Sequence, residues 1–310
     1  MRISRLFVAL FVCASLEAWN AAGHRTIAYI AYSHLSPQVR ARVDTLLQSH
    51  PDYPRWVRDV PTADRPLAAF LHASTWADEI RSDPAYHNEP REAPPSTEAP
   101  DHFRHQNWHY VDEPIAGEFA NVHIDDSLNP SWREAPNVVT QIRAMQTILS
   151  NRSKPAAARA WALGWLMHLI GDIHQPLHCA SRYTPGPDGR MENDAGGNRV
   201  RLAAADHNLH AFWDDLLGFD DSPAAIKQLA EGLAAATPPV KGKSRERGWQ
   251  AEGAQLDVAV VYPGLAYART RVSGLEVSPE YRRVALAVAG QRVAVAGYRL
   301  AAVLNRTLNR

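Results

Sequence analysis

The sequence predicts an all-α protein, a single mostly helical domain, and three observations lead to that prediction. Apolar residues recur at helical spacing over several long stretches, whereas alternating strand patterns are scarce. Neither an internal repeat of fixed period nor a linker between two cores is recognisable in the 310 residues. A chain of this length with 45% hydrophobic residues can bury one large core or two modest ones. Without a linker, one helical domain is the simpler expectation.

The first helical pattern covers residues 24–48. Ile27 and Ile30 begin an apolar face at helical spacing. Ser36 and Pro37 are expected to interrupt this helix or to start a new one, because serine caps helices and proline fits the first turn.

The second pattern covers residues 156–173, where Trp161, Trp165 and Leu169 share one face. Pro176 ends it, since proline cannot continue a helix. Four more stretches are predicted to be helical, the last of them rich in Ala and Val: residues 207–217, 222–236, 250–270 and 279–305.

Two stretches are predicted to be long loops. Residues 83–107 contain the run EPREAPPSTEAP, and residues 182–200 contain TPGPDG and AGGN. Loops of this length are uncommon in compact domains and tend to be functional or mobile.

Residues 1–18 have the three-part pattern of a secretory signal. Arg2 and Arg5 precede an apolar run, and small residues end at Ala18. The run is too short to span a membrane. We therefore expect export to a periplasm or to the medium, with residues 19–310 as the mature domain. Cys179 would be its only thiol, so no internal disulfide is expected.

Charge is balanced, with 33 basic and 33 acidic residues. This balance gives no global basic field for a duplex backbone or a membrane surface. An anionic substrate must therefore be held locally. The sequence indicates neither a membrane association nor an obligate protein partner.

Cleavage after Ala18 would make Trp19 the first residue of the mature chain. A free α-amine and the carbonyl oxygen of the same residue can chelate a metal ion in a five-membered ring. Taken alone, Trp19 is better explained as a core residue.

The histidines supply a stronger pattern, because all 14 fall between His24 and His210. His168 and Asp172 are four apart on a predicted helix and therefore on one face, and His210 and Asp214 repeat this spacing. His178 follows just after the proline break. Imidazole and carboxylate groups in such pairs suit zinc. A single histidine on such a face would more often be a core or surface residue.

Two further motifs carry candidate residues. In STWADEIR, Asp78 is expected in a first or second helical turn, with Arg81 on a nearby face. The two could belong to a functional site or form a simple surface ion pair.

The run NWHYVD is predicted to be extended. Alternation would send His109 and Val111 to one side and Tyr110 and Asp112 to the other. His109 could equally be a core histidine.

Seven short motifs, in their order along the chain, resemble those of a known family. They are Trp19, GH at 23–24, WADEIR, WHYVD, MHLIGDIHQPLH, GGN and NLHAFWD. The sequence is similar to the zinc-dependent, single-strand-specific nucleases of the mung bean nuclease type, in the zinc phospholipase C and nuclease superfamily. The motifs span residues 19–214, and helical patterning extends the resemblance to the C-terminus.

The resemblance implies a cluster of three zinc ions. Trp19, through its amine and carbonyl, and His24 would hold one ion. Asp78, His109 and His168 would hold its close neighbour. Asp172 would bridge the two. A third, more distant ion would be bound by His178, His210 and Asp214.

The resemblance also implies the reaction. A zinc-activated hydroxide would attack phosphorus in single-stranded DNA or RNA, with Asp78 and Asp172 in the catalytic centre and Arg81 neutralising the transition state. Tyr110 and Asp112 would hold one unpaired base. The expected products are 5′-mononucleotides, and 3′-nucleotides are a second expected substrate.

Two alternatives remain open. One is a zinc phospholipase C of the same superfamily, although the short spacing from Trp19 to His24 and the aspartate at 214 favour the nuclease. The other is a non-catalytic zinc-binding protein, against which the presence of Arg81 counts, since zinc storage needs no transition-state cation.

Overall fold

The computed structural model describes residues 19–89, 100–116, 136–186, 189–203, 208–240, 245–263 and 274–309. The predicted leader, the end of the predicted helix 250–270 and the first residue of the predicted helix 207–217 lie outside the described residues. Within the described ranges the chain forms ten α-helices, which confirms the predicted all-α class. These helices are α1 (Ala21–Ser33), α2 (Pro37–Leu47), α3 (Tyr53–Trp56), α4 (Arg65–Glu79), α5 (Val138–Ser150), α6 (Ala156–Asp172), α7 (Leu209–Asp214), α8 (Pro223–Ala236), α9 (Glu246–Leu256) and α10 (Pro279–Leu308).

Helix α6 is the centre of the fold. From Ala160 to Asp172 every residue is buried, because the segment is apolar on all sides. Helices α4 and α5 pack directly against it, and α1 packs against both α4 and α10. Charged or polar groups on α6 therefore lie inside the protein.

Helix starts follow the predicted capping chemistry. The Ser36 side chain accepts a hydrogen bond from the Val39 amide, and Pro37 opens α2. The same Ser-Pro pairing begins α8 at Ser222 and α10 at Ser278. The predicted restart at Ser36 is confirmed.

A small three-stranded sheet departs from the purely helical expectation. Strand β1 (Pro114–Ala116) pairs in parallel with β2 (Ser181–Pro185), and β2 pairs antiparallel with β3 (Met191–Asn193). Strands β2 and β3 occupy part of the predicted loop 182–200. Each strand is too short to show a readable alternation, which is why the sequence did not reveal them.

Three local predictions need correction. Asp78 lies in the last turn of α4 rather than in its first or second turn. The run NWHYVD is not extended throughout, because residues 106–108 form a 3₁₀ turn and His109 has helical backbone angles. Helix α5 was not predicted. None of the helices in the described ranges combines the length and the apolar character needed to cross a bilayer.

Candidate metal centre

Eight candidate ligands gather at one end of the helical core. They come from the first turn of α1, the last turn of α4, the residue after the 3₁₀ turn 106–108, the last two turns of α6, the 3₁₀ turn 176–178 and helix α7. These side chains are His24, Asp78, His109, His168, Asp172, His178, His210 and Asp214. The structure therefore brings together every side chain that the sequence nominated as a metal ligand.

The side chains form three groups, in each of which the ligand atoms lie within 4.8 Å of one another. Two groups share His168 and form what we call the α6 cluster: His24, Asp78, His109, His168 and Asp172. The third group is called the α7 cluster: His178, His210 and Asp214. The resemblance implied two close sites joined by Asp172 and a third, more distant one; in the structure the residue that the first two groups have in common is His168.

Asp172 is the centre of the α6 cluster. Its Oδ2 lies 3.0 Å from His109 Nδ1 and 3.3 Å from His168 Nε2. Its Oδ1 lies 3.3 Å from His24 Nε2. The two oxygens thus face different histidines, so that one carboxylate can serve both sites of the cluster.

Asp78 approaches the same histidines from α4. Its Oδ1 lies 3.5 Å from His168 Nε2 and 3.9 Å from His109 Nδ1. Ligands about 2.0–2.1 Å from a shared tetrahedral ion are roughly 3.3 Å apart. The observed separations are close to that value.

Packing fixes His24 over α6. Its ring stacks on His168 with 4.1 Å between ring centroids. A Cβ at Gly171 would lie 2.6 Å from His24 Nδ1, so only glycine leaves room for this imidazole. The sequence pattern did not single out Gly171.

The α7 cluster presents opposed ring nitrogens. His178 Nε2 lies 3.0 Å from His210 Nε2, and the latter lies 3.6 Å from Asp214 Oδ2. The other nitrogen of each ring faces a backbone carbonyl: His178 Nδ1 donates to His109 O at 2.8 Å and His210 Nδ1 to Gly196 O at 2.7 Å. Because a carbonyl can only accept, each Nδ1 carries a hydrogen, and in the neutral form of each ring Nε2 then presents a lone pair toward the other ring.

His168 is oriented in the same way, by donation from Nδ1 to Ser74 O at 2.9 Å. Such outer hydrogen bonds set the tautomer of metal-binding histidines. They leave Nε2 of these rings available to a cation.

Burial favours the neutral form of several of these imidazoles. It lowers the pKa of His24 to about 4 and holds the pKa values of His109 and His178 well below the ordinary value. Burial also raises the pKa of Asp172 to about 8. A bound cation would reverse the last effect, because it stabilises the carboxylate.

Several buried atoms in the α6 cluster have no hydrogen-bond partner among the described residues: both ring nitrogens of His24, Nε2 of His109, Asp78 Oδ1 and Asp172 Oδ1. Orphaned buried polar atoms are costly unless something else satisfies them. The ring nitrogens and carboxylate oxygens that converge here are the ligand types that zinc accepts. The cluster therefore fits divalent cations.

Trp19 lies just before α1, whose first turn carries His24. Its side chain is fully buried, and a Cβ at Gly23 would lie 2.6 Å from Trp19 Cβ. The next residue, Asn20, donates its backbone N–H to Asp214 O at 3.3 Å. The backbone at Trp19 is thereby held next to a residue of the α7 cluster.

Asn20 is a functional candidate that sequence reasoning missed. Its side-chain Nδ2 donates to Asp215 Oδ1 and to Gly218 O, each at 2.9 Å, while its Oδ1 accepts from the Gly23 amide and caps α1. These bonds join the start of α1 to the end of α7. An asparagine before a helix signals only the cap in the sequence.

Arg81 lies at the rim of the α6 cluster, with Nε 3.5 Å from Asp78 Oδ1. Its Nε and Nη1 are buried without a hydrogen-bond partner in the described part of the chain. A guanidinium with unused donors beside candidate metal ligands can bind phosphate oxygens.

The predicted base-binding residues differ in how they are held. Tyr110 is partly buried and donates its hydroxyl to Asn107 Oδ1 at 3.0 Å. Asp112 Oδ1 accepts from Ser181 Oγ at 2.5 Å, and Ser181 Oγ in turn accepts from the Gly196 amide at 2.9 Å. Asp112 is thus connected to the loop that orients His210.

The remaining described histidines near the motifs have other partners. His174 Nδ1 donates to Ile170 O at 2.7 Å, and His105 contacts the carboxylates of Glu89 and Asp101. His102 is exposed. Cys179 is free and buried, and its Sγ donates to Ile173 O at 3.2 Å.

The family model described as S1/P1 Nuclease matches residues 19–309. Among curated proteins, Nuclease S1 of Aspergillus oryzae is 25% identical, over 98% of this chain and 97% of that protein. Endonuclease 2 of Arabidopsis thaliana is 24% identical, over 96% and 93%. Nuclease P1 of Penicillium citrinum is 25% identical, over 93% and 97%. The chain therefore belongs to the S1/P1 nuclease family and is a nuclease, a hydrolase that cleaves nucleic acids.

Proposed function

We propose that this protein is a zinc-dependent phosphodiesterase that cleaves single-stranded DNA and RNA to 5′-mononucleotides and also removes the 3′-phosphate of nucleotides. The observation that carries the proposal is the convergence of three buried His/Asp groups in a chain of the S1/P1 nuclease family.

Three zinc ions would be held by nine residues. Trp19, His24 and Asp172 would bind the first ion, and Asp78, His109, His168 and Asp172 the second. His178, His210 and Asp214 would bind the third. When bound, such ions supply Lewis acidity, which lowers the pKa of water and neutralises phosphoryl and leaving oxygens.

The residues of the chain perform the remaining tasks. Asp172 and Asp78 would supply negative charge that keeps the cations in place. The hydrogen bonds that His168 and His210 donate to the carbonyls of Ser74 and Gly196 fix these two rings. Arg81 would donate to the equatorial oxygens of the phosphoryl group as negative charge develops there. No side-chain nucleophile is needed.

Base selection would come from Tyr110 and Asp112, which follow His109 in the chain. Tyr110 presents a ring for stacking, and Asp112 an acceptor for a base edge. Stacking needs an unpaired base, which agrees with a preference for single strands. The fixed bond from Ser181 to Asp112 supports this role, because it orients the carboxylate before substrate arrives.

The mature enzyme would begin at Trp19 and be exported by residues 1–18. The family match begins at the same residue, which supports the boundary. Removal of the leader would then complete the metal site, since it creates the Trp19 amine.

One experiment tests the proposal. Protein beginning at Trp19 is loaded with zinc and incubated separately with a single-stranded DNA 20-mer, its duplex, an RNA 20-mer, 3′-AMP, 5′-AMP and phosphatidylcholine vesicles. We expect cleavage of both single strands and of 3′-AMP, little cleavage of duplex, and none of 5′-AMP or lipid. Lipid cleavage without nucleotide release would contradict the proposal, as would zinc uptake without turnover.

Arg81→Gln gives a sharper test of the roles. We expect kcat to fall by roughly 10²- to 10³-fold, the usual cost of removing one preorganised transition-state donor, while zinc content stays unchanged. Arg58→Gln, at an exposed position, is the matched control. Unchanged kcat in Arg81→Gln would remove Arg81 from the mechanism.

A further inference from the structure

A cleft lies at the opposite end of α6 from the candidate metal centre. It has a volume of about 710 Å³ and is lined by residues of α2, the turn between α5 and α6, the start of α6 and the end of α10. Ala156, at the start of α6, is one of them. At 1.5 Å per residue the helix separates Ala156 from His168 by about 18 Å. The cleft is therefore not part of the metal centre.

The lining of this cleft is basic. It contains three arginines, Arg42, Arg152 and Arg159, and none of the described residues that line it is acidic. Hydroxyl groups supply most of the remaining polar lining: Thr45, Ser49, Ser150 and Thr307. Guanidinium and hydroxyl donors are the groups that bind phosphate oxygens. In a chain with equal numbers of acidic and basic residues, such a local concentration is distinctive.

Two of the arginines are already held in place. Arg159 Nε donates to Leu149 O at 3.0 Å, near the end of α5, and Arg42 donates to Leu308 O at the end of α10. Capping of helix ends thus explains part of their presence. A guanidinium carries five N–H donors, however, and the bond from Arg159 uses one. The Arg159 guanidinium is thus held in place while some of its N–H donors remain for a ligand, which makes it preorganised for binding.

Arg152 has no such structural role. It is exposed, and neither a carbonyl nor a carboxylate partner is found for it in the described ranges. It lines the same cleft as Arg159, and burial, with a smaller contribution from the Arg152 charge, lowers the pKa of Arg159. Two like charges share a cleft without an acidic lining residue. A bound anion would relieve their repulsion.

We propose that this cleft binds phosphate groups of a single-stranded nucleic acid whose scissile bond lies in the metal centre. The inference rests on the proposed function. The volume favours a strand over a free phosphate ion, because it exceeds the space that one phosphate group fills. The separation from His168 means that only a substrate of several nucleotides reaches both places.

The test measures binding and cleavage in the zinc-loaded full chain. The binding probe is a fluorescein-labelled, phosphorothioate-linked dT 20-mer, checked by gel to remain intact, and its anisotropy gives Kd at several salt concentrations. The cleavage substrates are unmodified dT 20-mer and the dinucleotide TpT. The variants are Arg152→Gln, the double variant Arg152→Gln/Arg159→Gln, and the control Arg58→Gln.

Each phosphate contact to a single strand contributes a slope of about −0.7 to the logarithm of the binding constant against the logarithm of salt concentration. We expect the slope to become less negative by about 0.7 in Arg152→Gln and by about 1.4 in the double variant. KM for dT 20-mer should rise while kcat/KM for TpT stays unchanged. Arg152 is exposed, so the single variant tests the idea even if the double variant folds poorly.

Salt slopes equal to those of the unsubstituted chain would overturn the proposal. It is also overturned if inorganic phosphate titrated into the protein binds with a dependence on Arg152 while the slopes for the 20-mer do not change, because the cleft would then be a site for free phosphate. Failure of the proposed function would look different, since the unsubstituted chain would leave TpT intact whatever the cleft binds.

Discussion

The α6 cluster and the α7 cluster hold similar donor sets in different ways. In the α6 cluster, four of the five side chains come from the long helices α1, α4 and α6, and Asp172 touches three histidines. The α7 cluster depends on a 3₁₀ turn, a six-residue helix and the loop that contains Gly196. The first is fixed by the hydrophobic core. The second is fixed by individual hydrogen bonds. Single substitutions there should therefore have smaller effects that can be separated from one another.

The largest effect is expected from Asp172→Asn compared with Asp214→Asn. If Asp172 bridges two ions, Asp172→Asn should lose about two zinc ions per chain and Asp214→Asn about one. Activity should fall by more than roughly 10³-fold for Asp172→Asn, because one charge serves both sites. Zinc is counted by plasma mass spectrometry after desalting.

The exposed Asp59→Asn is the matched control and should retain all three ions. Equal zinc contents in Asp172→Asn and Asp214→Asn would show that Asp172 does not bridge.

The next prediction concerns the N-terminus. One alanine retained before Trp19 converts its amine to an amide, which does not ligate zinc in the same way. We expect the loss of about one zinc ion and a fall in activity of at least roughly 10²-fold, with the α7 cluster still loaded. Full activity in a chain whose extension is verified by mass spectrometry would exclude a role for the amine.

Asn20 joins the two clusters, so its replacement tests whether they are independent. We expect Asn20→Ala to weaken zinc retention by at most roughly 10-fold, the lower end of the effect of removing a direct hydrogen-bond partner of a ligand, because the Asn20 side chain bonds Asp215 and Gly218 rather than a candidate ligand. Competition against a chromophoric chelator measures this retention.

Asn20→Asp separates two explanations. Aspartate can still accept from the Gly23 amide and cap α1, but it cannot donate to Asp215 and Gly218 as Asn20 does. If the hydrogen bonds from Asn20 to Asp215 and Gly218 are needed, Asn20→Asp should lose zinc as readily as Asn20→Ala. Full retention in Asn20→Asp would show that only the helix cap is needed.

The sequence predicted what is local along the chain. His168 and Asp172 share one helix face, and so do His210 and Asp214, because a spacing of four residues brings side chains together on any helix. Ser36 and Pro37 predicted the start of α2 for an equally local reason, since a serine cap followed by proline favours a helix start. The candidate ligands at Trp19, His24, Asp78 and His109 needed the family resemblance, since spacing alone does not place them together.

What escaped prediction depends on contacts between distant segments. Asn20 meets Asp215 across 195 residues, and the need for glycine at 171 arises only when His24 packs over α6. Gly196 lies at φ +58, where a Cβ would be 2.5 Å from Leu177 O, and its carbonyl orients His210. A sequence pattern shows none of these neighbours. They are the residues that turn two sets of ligands into ordered sites.

The smallest expected effect concerns the support behind the α7 cluster. Asp257 is fully buried, and neither carboxylate oxygen has a hydrogen-bond partner among the described residues. Burial, with a smaller contribution from Asp194, raises its pKa well above the ordinary value. Asp194 in turn accepts hydrogen bonds from the Arg182 amide and from the Tyr262 hydroxyl, in the segment that leads to Gly196.

A carboxyl whose pKa is raised in the folded state holds a proton that the unfolded chain has already released. Stability is therefore lost as pH rises from about 3.9, the ordinary aspartate value, toward the raised pKa. Asp257→Asn cannot ionise, so its free energy of unfolding relative to the unsubstituted chain should grow with pH, by at most about 1.4 kcal/mol per unit. Denaturant unfolding at several pH values between 5 and 8 measures the difference, with Asp59→Asn as the control. A constant difference would mean that Asp257 is ionised in the folded protein, in which case a cation must lie beside it and the α7 region would be as firmly supported as α6.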